Sequence, residues 1–278
     1  ESGCYYEITP DESQKALRNL WKEIERFQTC DIVYCFGEER HPVTAADCAS
    51  FLTAQNGLPV QDEKGSFVLD EEAVAAYVQS LAEEYDGYGR TRQFHSTRGD
   101  VITIEGGTYG SKMDRKKETA YLMEHLLDPS VHTGIPQTHI PIYEREAFCY
   151  GKNDIGDTYI EVDMTEQKMY YYEKGVLKLE TEIVTGNMRR RMGTPEGVNF
   201  VYNKQKNRVL RGPGYASPVK FWMPVKGGIG IHDAGWRKEF GGDIYQTAGS
   251  HGCINTPKDK MEELFDCVQI GTPVVMFY

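Results

Sequence analysis

The chain lacks the marks of several common protein classes. Its 31 basic side chains are outnumbered by 42 acidic ones, for a net charge of -11, and a surface of that sign repels nucleic-acid phosphates at long range. Nucleic acid is therefore not an expected partner, and any anionic ligand must be gripped locally. No stretch approaches the roughly 18 consecutive apolar residues of a membrane-spanning helix. The opening Glu1-Ser2-Gly3-Cys4 has no starting Met, no basic flank and no apolar signal segment. A targeting segment is expected to belong to a longer form of the chain, and a membrane is an expected partner only through such a segment.

Metal and nucleotide signatures are missing too. The seven cysteines, Cys4, Cys30, Cys35, Cys48, Cys149, Cys253 and Cys267, include no CxxC pair, and Cys30 and Cys35 have no second close pair to complete a zinc site. His132 and His139 flank a turn at a spacing of seven, a loose arrangement for a metal. The glycine-rich stretches Gly227-Gly228-Ile229-Gly230 and Gly106-Gly107-Thr108-Tyr109-Gly110 lack the lysine of a phosphate loop. No paired-carboxylate spacing suggests sugar hydrolysis. An odd cysteine count does leave at least one thiol unpaired within the chain.

What is present suits two domains. At 278 residues and 40% hydrophobic content the chain can build a core in each, and 28 glycines with 18 tyrosines favour turns and half-buried strands. Residues 11–27 place Ala16, Leu17, Leu20, Trp21, Ile24 and Phe27 at helical spacing after an acidic start. A short helix is expected after Thr44. Residues 70–85 show the clearest helical stripe, with Glu71 and Glu72 in the first turn. Strands are expected at 93–97 and 101–105 around Arg98-Gly99-Asp100, then a helix over 116–127 whose mixed-sign start, Asp114 to Glu118, reads as a solvated face. From Thr158 onward alternating strands dominate, with one short helix over 259–265. The expected architecture is an N-terminal α+β domain over residues 1–153, followed by a mostly β, sandwich-like domain over 154–278 with a short helix.

The segment Gly249-Ser250-His251-Gly252-Cys253-Ile254-Asn255-Thr256, preceded by Ile229-Gly230-Ile231-His232-Asp233, carries the chemistry. A cysteine among small residues suits a nucleophile on a tight loop, and Gly252 permits backbone geometry closed to other residues. A thiol is mostly protonated near neutrality and needs a base. His251, two residues away, and His232, 21 residues away, both qualify from the residues alone.

This stretch resembles the signature of the L,D-transpeptidase (YkuD-like) catalytic domain: a histidine, some seventeen residues, then Ser/Thr-His-Gly-Cys-hydrophobic-Asn/Arg. Seventeen residues, 233 to 249, separate His232 from Ser250, and Ser250 to Asn255 fills the second part completely. The resemblance implies Cys253 as nucleophile, His232 as general base and His251 as a structural and substrate-orienting member. It implies that the Asp233 carbonyl orients the base, with the Asp233 side chain as an alternative. Gly252 and Cys253 amides would stabilise the oxyanion. Ser250, Asn255, Trp236, Arg237 and Tyr245 are the expected substrate-binding residues, Arg237 meeting a stem carboxylate. Tyr202, Lys204 and Trp222 are weaker candidates, since aromatics in a β domain are more often packing.

Upstream, Leu69-Asp70, Tyr77-Val78, Tyr85, Tyr88-Gly89-Arg90-Thr91-Arg92, Phe94, Gly99 and Gly106 to Gly110 resemble the domain named for peptidoglycan binding that precedes this catalytic domain in Gram-positive enzymes. Arg90 and Arg92 read either as ligand contacts or as salt-bridged scaffold. Together the resemblances imply a transpeptidase that works outside the cell, in the wall or anchored at the membrane. It would form 3→3 peptidoglycan cross-links from tetrapeptide stems through a thioester, with donor and acceptor stem peptides as partners. An L,D-carboxypeptidase using the same thioester, and a non-catalytic wall-binding protein, are the alternatives. Acylation by carbapenems is also implied. Thiol acyl transfer requires no metal or organic cofactor, and none is expected.

Overall fold

A computed structural model describes residues 11–212 and 215–278; Cys4 lies outside them. The described chain forms two compact units that interleave in sequence, the part up to residue 85 with 113–144 and residues 86–112 with the part from 145 on.

In the first unit the helix Glu12–Gln28 starts at Asp11, whose carboxylate accepts the Gln14 amide at 2.8 Å in a capping box. Only Phe27 of this helix is buried; Leu17 and Trp21 face solvent, so the apolar stripe is incompletely used. The helix Ala45–Ser50 is capped the same way by Thr44 and Asp47. Strand Ile32–Phe36 pairs antiparallel with Glu39–Pro42 and parallel with Gln137–His139. Helix Glu71–Tyr85 turns Val74, Val78, Leu81, Ala82 and Tyr85 into a core shared with Tyr34, Phe36, Phe51 and Leu122. Each fully buried aliphatic side chain contributes roughly 1.5–3 kcal/mol. At the centre lies an ionisable group that hydropathy does not announce. Fully buried Glu118 accepts hydrogen bonds from Tyr34 Oη (2.9 Å), His139 Nε2 (2.7 Å) and the Ile142 amide (2.7 Å). His132 Nε2 bonds to the Leu126 carbonyl, so both histidines of the loose metal pattern are engaged within the fold.

The second unit is a sandwich of two sheets. The five-stranded sheet runs Val176–Glu182, Lys168–Glu173, Tyr159–Asp163, Pro273–Phe277 and Gly197–Phe200, with Tyr159–Asp163 parallel to Pro273–Phe277. The four-stranded sheet runs Gln205–Gly212, Tyr215–Lys226, Ile229–Asp233 and Ile254–Thr256. Between them Ile160, Val162, Met169, Phe221, Met223, Ile231, Ile254 and Met276 form the core, closed by Met261, Leu264 and Phe265 of the helix Lys258–Cys267.

The expected boundary at 153/154 does not coincide with the division between the compact units. The hairpin Arg92–His95 and Val101–Ile104, expected in the first domain, packs with the second unit. The reason lies in the strand Pro273–Phe277, which is buried on both faces. Val274 and Met276 enter the sandwich core, while Val275 and Phe277 join Phe94, Ile104 and Tyr109 in a second cluster, so one sheet face needs the hairpin as its cover. Polar ties fix that cover. Buried Arg92 makes a two-point contact with buried Asp154, Nε to Oδ1 at 2.9 Å and Nη2 to Oδ2 at 2.6 Å. Thr97 donates its amide and hydroxyl to buried Glu161 at 2.8 and 2.7 Å. Arg92 is therefore scaffold.

Candidate active site

Sheet register builds the site. Ile231 and Ile254 point into the core, so their neighbours His232, Cys253 and Asn255 emerge on the opposite face. The strands Ile229–Asp233 and Ile254–Thr256 run parallel with His232 beside Asn255, and Trp222 lies beside His232 on its other flank. One cleft is lined by His232, Trp236, Arg237, Ser250, His251, Cys253 and Asn255, with Leu210 and Ser217 from the two strands of the long hairpin.

The loop ahead of Cys253 is braced from both sides. Ser250 Oγ donates to the Cys253 carbonyl (2.6 Å) and accepts the Gly252 amide (3.0 Å). Thr194 Oγ1 donates to the Gly252 carbonyl at 2.8 Å and accepts the Gly186 amide at 2.9 Å. Gly252 sits at φ +114°, in the region that favours glycine. A Cβ on Gly249 would lie 2.7 Å from the Asn187 backbone, so only glycine permits that approach.

The His232 imidazole has a defined tautomer. His232 Nδ1 lies 2.9 Å from the Asp233 carbonyl, which can only accept, so Nδ1 carries the proton and Nε2 the lone pair. Asn255 confirms the polarity from the other side. Its Oδ1 accepts from Arg237 Nε at 2.7 Å, which turns its amide nitrogen towards His232 Nε2 at 3.1 Å. The result is a directed chain, Arg237 to Asn255 to His232 to the Asp233 carbonyl, through two side chains that are almost fully buried. Burial holds His232 below its ordinary pKa, opposed in part by the Asp233 carbonyl. Burial also pushes the Cys253 thiol up, offset in part by the Gly230 amide. Cys253 Sγ donates to the Gly228 carbonyl at 3.8 Å. Neutral thiol and neutral imidazole thus face one cleft.

Of the residues expected at a site, the fold brings Cys253, His232, His251, Ser250, Asn255, Trp236 and Arg237 to one cleft. The side chain of Asp233 is elsewhere: Oδ1 accepts the Lys220 and Phe221 amides at 2.8 and 2.7 Å and braces the neighbouring strand, leaving the carbonyl to hold the imidazole. Tyr245, half-buried, does not line the cleft; its carbonyl accepts the Met188 amide. Arg237 spends Nε on Asn255 and Nη2 on the Ala248 carbonyl (2.9 Å). Tyr202 bonds to the Gly227 carbonyl, Lys204 to the Val268 carbonyl, and Trp222 is buried. Sequence reading missed Thr194, whose Thr-Pro context reads as a turn; only its contact across 58 residues shows its part in the loop. Among the described residues no group of acidic, histidine and cysteine side chains is arranged to hold a metal ion. All six described cysteines are free thiols.

Comparison with known proteins matches two segments of the chain. Residues 157–276 match the family model of the L,D-transpeptidase catalytic domain (YkuD), and residues 51–130 match the model described as "Putative peptidoglycan binding domain". The crystal structure of an Enterococcus faecium L,D-transpeptidase, in a cysteine-to-serine variant, is 36% identical, with 93% of this chain and 100% of that one covered at a TM-score of 0.79. The structure of the carbamoyl enzyme formed by Ldtfm and avibactam is also 36% identical, with 94% and 99% covered at a TM-score of 0.79. A search of curated protein sequences returns no match.

Proposed function

Because the chain belongs to the L,D-transpeptidase family, we propose that it forms 3→3 peptidoglycan cross-links by way of a thioester on Cys253. The observation that carries this reading is the orientation of His232. Its Nδ1–H is held by the Asp233 carbonyl, so the Nε2 lone pair faces the side of the sheet that bears Cys253.

With thiol and imidazole both neutral at rest, His232 acts as a general base during attack. It takes the thiol proton as sulfur attacks the carbonyl between the third residue and the terminal D-residue of a tetrapeptide stem. Asn255 must yield at Nε2 for that transfer, and its tie to Arg237 defines the position to which it returns. Because the Gly252 amide is committed to Ser250 Oγ, the Cys253 and Gly230 amides are the better donors for the developing oxyanion. The imidazolium then protonates the departing amine, and the thioester passes to the side-chain amine of a second stem. His251 and Trp236 border the cleft and orient the stem; Ser250 serves by shaping the loop. The substrates are the donor and acceptor stems, and the place of work is the wall outside the cell.

The test is product analysis with a tetrapeptide muropeptide, with and without an acceptor amine. Dimer, released D-alanine and an acyl mass on Cys253 are expected, all lost in Cys253→Ala. Free tripeptide in place of dimer when the acceptor is present would make the enzyme an L,D-carboxypeptidase. Since the relative Ldtfm forms a carbamoyl enzyme with avibactam, the same reagent should modify Cys253, as should carbapenems.

A further inference from the structure

A feature beside the nucleophile loop is unused by this mechanism. Arg189, Arg190 and Arg191 follow one another in a chain of net charge -11, and all three are exposed. Among the described residues, none of their guanidinium groups has an ion-pair or hydrogen-bond partner. Other arginines of the same unit are satisfied: Arg92 by Asp154, Arg98 by Asp163, Arg237 by Asn255. Three adjacent cations repel one another, so the cluster gains most when an anion joins it.

The backbone that presents them is fixed, and fixed to the site. Buried Asn187 closes the turn, its carbonyl accepting the Met192 amide and its Oδ1 the Arg190 amide, both at 3.0 Å. Asn187 also donates its amide to the Ser250 carbonyl (2.9 Å) and its side chain to the Thr247 carbonyl (2.8 Å). The far end of the turn meets the nucleophile loop directly, for a Cβ on Gly252 would lie 3.8 Å from the Met192 carbonyl. Arg191 holds a left-handed backbone (φ +55°), a conformation that glycine or asparagine adopts at lower cost.

We propose that the turn 187–192 is a carboxylate-binding subsite which holds the free terminal carboxylate of the donor stem beside Cys253. The inference rests on the transpeptidase reading. A tetrapeptide stem ends in a carboxylate one residue beyond the attacked carbonyl, and guanidinium groups match carboxylates in two-point contacts. Gripping that group locally overcomes the repulsion between an acidic protein and an anionic substrate. Once the terminal residue departs, its charge leaves with it, and the acyl-enzyme is free to admit an acceptor.

The test compares a tetrapeptide donor with a free terminal carboxylate against the same donor amidated there, on the wild type and on R189Q/R190Q/R191Q. Release of the terminal residue and calorimetric binding are both read, and alkylation of Cys253 by neutral iodoacetamide checks that the nucleophile loop is intact. The wild type should favour the free acid in kcat/KM by about tenfold or more, as desolvated charge-assisted contacts allow. The variant should lose that preference while alkylating at the wild-type rate. A preference that survives in the variant, or is absent from the wild type, overturns the proposal. If neither donor turns over yet the free acid still binds better to the wild type alone, the transpeptidase reading fails and the subsite stands. If the substitutions abolish retention on immobilised polyglycerol phosphate but leave the donor preference, the loop serves a phosphate polymer and the proposal is wrong.

Discussion

Asn255→Asp tests the directed hydrogen-bond chain with almost no change in side-chain volume. One carboxylate oxygen can keep Arg237 Nε at 2.7 Å, while the other replaces the amide nitrogen 3.1 Å from His232 Nε2. A donor becomes an anionic acceptor, so Nε2 gains a reason to hold a proton and the imidazole pKa must rise. Two unit charges about 3 Å apart attract by roughly 5 kcal/mol at an effective dielectric of about 20, an upper bound. Burial of both ions and the charge already shared with Arg237 offset most of it, leaving about one to two pKa units, or roughly 1.4–2.8 kcal/mol. The assay is the pH titration of the His232 ring signals by NMR, beside the pH dependence of Cys253 alkylation. In the wild type the ring should stay neutral to below the ordinary 6.5. In the variant it should titrate higher, with faster alkylation near pH 6 to 7 as imidazolium favours thiolate. A titration that stays put or moves down would show that the Asn255 amide does not face Nε2, and the tautomer argument would fail.

Other outcomes follow from the same geometry. Asp154→Ala leaves the Arg92 guanidinium buried without its carboxylate and should cost about 3–5 kcal/mol in urea unfolding, the scale for half of a buried pair; a loss under about 1 kcal/mol would deny that this contact holds the hairpin in place. Ser250→Ala removes both loop bonds and should slow acylation and thiol alkylation together, whereas a change in donor KM alone would return Ser250 to a substrate-contact role. Wild-type stability should also fall in acid through His232. Its folded pKa is depressed, so as pH drops through about 6.5 the unfolded chain binds the proton first; His232→Gln should flatten that part of the stability profile.

Much of this was legible in the residues, for identifiable reasons. The helix at 71–85 and the strands around the turn at 173–175 announce themselves through periodicity and turn residues. The loop that carries Cys253 is short and local, so Ser250 to Asn255 holds its pattern in one stretch. Long-range commitments are what pattern cannot carry. Nothing in the neighbourhood of Arg92 names Asp154 as its partner, 62 residues away, and that contact helps place the hairpin with the catalytic unit. Arg237 is a reasonable carboxylate ligand by residue type, yet the fold spends it on Asn255 and Ala248. Asp233 invited an orienting role that only the direction of its side chain, towards the Lys220 and Phe221 amides, could reassign. Arg189 to Arg191 stand side by side in the sequence, but the tie of their turn to Ser250 runs through Asn187 and exists only in the fold.

Intact-mass analysis of the folded chain after incubation with a tetrapeptide stem, followed by peptide mapping, tests the central claim most directly. The account predicts a single acyl increment on residue 253 that disappears when an amine acceptor is added and never forms in Cys253→Ala. An unmodified thiol at that position, in a chain that nevertheless releases D-alanine, would contradict it.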